Sequence, residues 1–106
     1  MANGILGREA LTAAVQTVVY TVPEDTFAVV AINVTNRSSE TRDIRIALSD
    51  TGTPADADYI EFDTELLANG TLERSGVVID AGKNVVVLSN STDVSCVVYG
   101  LETSTV

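Results

Sequence analysis

The chain has 106 residues, a size that holds one hydrophobic core and leaves little room for a deep substrate cavity beside it. Hydrophobic residues make up 45% of it and aromatics 5%, with no Trp, so Val, Ile, Leu and Ala must fill that core, and such a balance favours strands. Six basic residues against fifteen acidic ones give a formal charge of −9, which argues against nucleic acid or anionic membrane as a partner, since phosphate surfaces require clustered Lys and Arg.

Residues 1–14 differ from the rest. They lack the basic start and apolar run of a signal peptide, and no stretch approaches the about 20 apolar residues of a membrane span, so a soluble protein made in a cytoplasm is expected. Gly4 and Gly7 interrupt any long element, and residues 8–14 hold at most one or two helical turns, which are marginal alone. This segment reads as an N-terminal arm that docks on a neighbour through Ile5, Leu6 and Leu11, with a frayed terminus or a short helix as alternatives.

From residue 15 to residue 106 the chain reads as one β-domain. Strands are expected near 16–22, 28–36, 42–49, 59–63, 71–79, 84–89 and 94–101, separated by turns rich in Gly, Pro, Asn and Asp. Seven to eight short strands at even spacing predict an all-β fold, a single antiparallel β-sandwich of jelly-roll or immunoglobulin-like type. Alternation places Ile44, Ile46 and Leu48 on one face and Asp43 and Arg45 on the other. The same period turns Ile60 and Phe62 inward, together with Ile32, Val34, Val87 and Val98. Three stretches are apolar on both faces: Val29 and Ala31 oppose Val30 and Ile32, and 85–88 and 97–99 have no polar side. Such strands are covered by a loop or meet another subunit.

Chemistry is sparse. The chain has no His and one Cys, which removes His-based triads, His metal sites and thiolate zinc sites. Cys96 lies in an apolar run and reads as a small core residue. The acidic stretch from Asp50 to Glu65 includes Asp56 and Asp58, which could open a calcium loop, but the Gly and Glu that such a loop needs are missing. Asn-x-Ser/Thr triplets at Asn33, Asn36, Asn69 and Asn90 read as chance in a Thr-rich β-protein. No catalytic, cofactor-binding or metal-binding residue is identified, and no cofactor is expected.

The segment Val19-Tyr20-Thr21-Val22-Pro23, followed by Val29-Val30-Ala31-Ile32-Asn33-Val34-Thr35-Asn36-Arg37, resembles a family of small virion structural proteins of tailed bacteriophages. The resemblance continues through Tyr59–Asp63, Leu67–Gly76 and the ending Val94–Glu102, and covers about residues 15–102. It implies a β-sandwich displayed in many copies on a particle, with no active site. The expected function is that of a non-enzymatic virion protein, an outer capsid decoration or cement subunit. A tail, baseplate, collar or fibre-attachment component is the alternative, and a carbohydrate- or host-surface-binding module a further one. The partners implied are the major capsid protein or tail proteins, and further copies of the chain in a homo-oligomer.

Overall fold

The computed structural model describes residues 2–106. Strict alternation builds its longest strands. In β3 (Thr26–Asn36) every second residue from Thr26 to Asn36 is buried, and in β8 (Val94–Ser104) Val94, Cys96 and Val98 are fully enclosed. The other strands are β1 (Asn3–Ala10), β2 (Thr17–Thr21), β4 (Arg42–Ser49), β5 (Tyr59–Leu66), β6 (Thr71–Ile79) and β7 (Asn84–Ser89), with one 3₁₀ turn at Asp56–Asp58.

The eight strands form two four-stranded antiparallel sheets, ordered β1-β8-β3-β6 and β2-β7-β4-β5. The pairs β1–β8, β2–β7, β3–β6 and β4–β5 are those of one long hairpin whose tip lies between β4 and β5. Rolling that hairpin sends alternate pairs into opposite sheets, which is the jelly-roll form of the β-sandwich. Between the sheets lies a core of mostly β-branched side chains, with Ile32, Ile44, Ile46, Val85, Val87 and Val98 among those without exposed surface. At the β5–β6 edge the sandwich is tied across by Arg74 Nε and Glu61 Oε2 at 3.2 Å. Near the opposite edge Tyr20 Oη of β2 donates to Glu102 Oε2 of β8 at 2.5 Å.

Three expectations are corrected. The first concerns residues 1–14, of which Met1 lies outside the described residues. Residues 3–10 are the edge strand β1, paired with β8 from Asn3↔Leu101 to Ala10↔Ser95, so they are neither arm nor helix. The glycines do not break this strand. A Cβ on Gly7 would lie 2.1 Å from the Val19 carbonyl oxygen, so Gly7 lets β1 close on β2 just after the bulge between Ile5 and Gly7.

The second correction is Phe62, which alternation turns inward and the structure leaves 56% exposed. Two register shifts interrupt the β4–β5 ladder, and Asp63 has φ 51°. The bulge sets Phe62 and Asp63 together outside, while Leu66 beyond it returns to the core. The third is minor: Leu48 and Ile60, expected in the core, are only partly buried against its edge.

Candidate interaction surfaces

Reactive groups are few, and the fold occupies them. Cys96 is enclosed between the sheets, and burial pushes its thiol up to about 12, so the thiolate nucleophile is suppressed. Asp58 Oδ2 accepts a hydrogen bond from the Ala55 backbone N–H at 2.8 Å, which makes it a turn former at the 3₁₀ segment. Among the described residues no three His, Cys, Asp or Glu side chains come together as a metal-binding group. No helix among them is long and apolar enough to cross a membrane. An open groove lies at the β5–β6 edge between Leu48, Ile60 and Val77, beside the Glu61–Arg74 pair.

The three anchors expected to act together part company. Leu11 is 2% exposed in the core, and its backbone N–H donates to the Val94 carbonyl at 2.9 Å. Leu6 packs partly buried against the same core. Only Ile5, 59% exposed, remains available for contact. The assembly contact expected of this trio is therefore corrected to a single residue, because two of the anchors are needed inside the sandwich.

Ile5 does not stand alone. Its register partner is Tyr99, which faces Ala31 on the next strand. One row along, Leu101 pairs with Val29, and Val29 with Val78 on β6. Val78 is 66% and Leu101 56% exposed, and Val29 and Tyr99 are also open to solvent. These residues alternate with core residues along their strands, so they form an apolar band across the outer face of all four strands. Tyr99 reaches over β3 and donates its hydroxyl to Glu73 Oε1 on β6, which lays the ring along the sheet. That bond, with burial, raises the Tyr99 pKa above its ordinary value.

In the adjoining row Arg8, Val97, Asn33 and Glu73 lie side by side from β1 to β6. Within the strands, the register places Arg8 and Glu73 on this face, one at each edge, and Arg37 just beyond β3 reaches the same face, its Nε donating to Ser95 Oγ at 2.8 Å. Arg8 has no ion pair among the described residues.

The outer face of the other sheet is partly closed within the chain. Val86 and Ala47 point away from the core yet are 2% and 0% exposed. They lie in one row with Val18 and Tyr59, and the 3₁₀ turn rests against β4. What stays open is a small aromatic cluster. The Tyr59 and Phe62 rings meet edge to face at 5.0 Å, and the Arg45 guanidinium lies 3.9 Å from the Phe62 centroid. Arg45 is held there by Asp63, with Nε to Oδ1 at 2.6 Å, and that guanidinium lowers the Asp63 pKa.

Alternation marks Val29, Ala31 and Tyr99 as off-core apolar positions but does not join them to Ile5, Leu101 and Val78. The missing information was strand order, which brings β1 beside β8 and β6 beside β3. No family model, curated protein or solved structure matches the chain.

Proposed function

We propose that the chain is a non-enzymatic structural subunit of a tailed-bacteriophage virion, acting as an outer capsid decoration or cement protein. One observation carries this reading: the sandwich presents an exposed apolar surface on each of its two outer faces. A subunit that joins neighbours needs two such contacts, and exposed apolar patches of this kind mark protein association sites. The linear resemblance of residues 15–102 to small virion proteins supports the setting. The charge of −9 supports an outer position, since an acidic domain is repelled by packaged DNA.

The test is the copy number of the chain in purified virions of the phage that encodes it, measured by quantitative mass spectrometry against the major capsid protein. On the order of hundreds of copies, matched to the shell symmetry, is the expected result. About a dozen copies would move the protein to the tail, baseplate, collar or fibre attachment, and absence from the particle would overturn the virion reading.

The exposure of Phe62 favours a second reading, contact with a host-surface carbohydrate, because sugars stack on exposed aromatic rings. Of the chain's three tyrosines, Tyr20 is buried and Tyr99 lies along the sheet, which leaves Tyr59 beside Phe62. A glycan array on the purified chain, repeated with Phe62→Ala, tests it: signal that survives the substitution removes this reading.

A further inference from the structure

The outer face of the β1-β8-β3-β6 sheet has a pattern that selects its own partner. We infer that this face binds a second copy of the chain about a two-fold axis that runs along the strands, between β8 and β3 in the plane of contact. Such a rotation keeps each row of side chains at its own height and reverses the strand order. So β1 lies over the partner's β6, and β8 over the partner's β3.

Every row then meets itself reversed. Arg8 faces the partner's Glu73, and Glu73 faces the partner's Arg8, so two opposite-charge pairs flank the apolar band. Glu73 Oε1 is engaged by the Tyr99 hydroxyl, which leaves Oε2 for the incoming guanidinium. Leu101 meets the partner's Val29 in the next-but-one row. Ile5, a large side chain at one edge, meets the bulge opposite Ala31 that contains the partner's Gly76, which has no side chain. A two-fold axis across the strands would instead place each strand over its own copy with the row order reversed. With that axis through the Tyr99 row, Arg8 would lie over the partner's Asn3 and Glu73 over the partner's Val78, and no charge would find a partner. The charges select the axis.

Electrostatics also favour this face over the rest of the surface. Two chains of charge −9 repel, but this face carries Arg8, Arg37 (whose Nε donates to Ser95 Oγ at 2.8 Å) and Glu73, so it is free of the chain's acidic excess, and contact here brings no carboxylates together without a cation. The size suffices as well. Four strands about 4.8 Å apart and about eight residues deep give a flat contact of roughly 500 Å² in projection. With side-chain relief, that approaches the roughly 800 Å² each partner buries in a standard interface. Sheets packed in this aligned way cross at about 30°, an angle the long Arg8 side chain can span.

The inference rests on the structural-subunit reading only in requiring that the face be covered, and it is tested on the purified full chain without a particle. Sedimentation equilibrium should show a species of twice the 11.1 kDa chain mass. Arg8→Glu and Glu73→Arg should each raise the dimer dissociation constant about tenfold or more, since each brings like charges together at both symmetric positions. The variant carrying both changes should return to near the wild-type constant. Leu101→Glu should give monomer that keeps its far-ultraviolet circular dichroism, which separates loss of contact from loss of fold. A monomer at every concentration, a larger assembly as the main species, or a dimer unmoved by Leu101→Glu would overturn the inference. So would a double variant no tighter than either single one. A virion copy number of zero would end the virion reading and leave the dimer intact, so the two failures are distinguishable.

Discussion

Asn36 closes the end of β3 with its side chain sealed from solvent and its polar atoms engaged. Its Nδ2 lies 2.8 Å from the Glu40 carbonyl and 3.1 Å from those of Leu66 and Leu67, so two hydrogens serve three acceptors and are shared. Its Oδ1 accepts from the Ser38 backbone N–H and hydroxyl, both at 2.9 Å. Asn36→Ala is expected to destabilise the fold by about 3 kcal/mol, because it strands buried carbonyls. Asn36→Asp would set a carboxylate against those carbonyls, a position that favours the protonated form. Its folded-state pKa is then raised, so stability is highest at low pH and falls as pH rises through the carboxylate range. Urea melts of the two variants at pH 4 and pH 7 check the crossing, which a merely steric role would not produce. Phe62 is the contrary case. With its ring half in solvent under Arg45, Phe62→Ala should cost only about 1 kcal/mol, where a core position would cost about 3–5 kcal/mol. The period-two pattern hid this because a bulge leaves almost no mark in sequence. Asp63 is one of the few residue types that tolerate positive φ, and it was the one available sign.

At the scale of elements, the strands from β2 to β8 were legible because alternation and turn chemistry agree along them. Strand β1 was not. Its apolar residues Ile5 and Leu6 are adjacent rather than alternate, since Leu6 is the unpaired residue of the bulge between Ile5 and Gly7, and Gly7 serves close approach to β2. Deleting residues 2–12 therefore removes an edge strand and the buried Leu11, and exposes the unpaired side of β8. The truncated chain should lose about 3 kcal/mol or more and self-associate through that edge. Thermal melts and light scattering would detect both, and an unchanged melt would restore the free-arm reading. A second element contact carries a pH dependence. Glu102 joins β8 to β2 through Tyr20 Oη and also accepts from the Ala2 backbone N–H at 3.0 Å. The Tyr20 hydroxyl, followed by the Ala2 N–H, holds the Glu102 pKa below its ordinary value. A depressed carboxylate contributes stability above its unfolded pKa, and that contribution is lost as pH falls through the folded one. Tyr20→Phe should cost about 1 kcal/mol at pH 7. The gap between variant and wild type should narrow below about pH 4; a gap constant with pH would assign the loss to packing alone.

For the whole molecule, the sandwich was legible in strand count and spacing, while the choice between jelly-roll and immunoglobulin-like order was not. Pairing partners do not alter the period-two pattern of either strand, so Ile32 reads the same whether β3 lies beside β8 or beside β4. The order found has a strong consequence. Divide the chain in the exposed loop at residues 51–53, between β4 and β5. The first half holds β1 to β4 and the second β5 to β8. In both sheets every neighbouring pair joins a strand of one half to a strand of the other. Neither half contains a single paired strand of its own, and each bares half of the apolar core. Only the β4–β5 hairpin, which spans the division, joins strands consecutive in the chain; every other pair is long-range, and closing those loops costs entropy that only the assembled core repays. Folding should accordingly be two-state, in milliseconds to seconds. Peptides 1–52 and 53–106 should each be disordered alone by circular dichroism, and should regain the β spectrum when mixed, because the division removes one exposed connection and no strand pair. A β spectrum from either peptide as a monomer would show that sheet forms within a half, and would contradict the strand order itself.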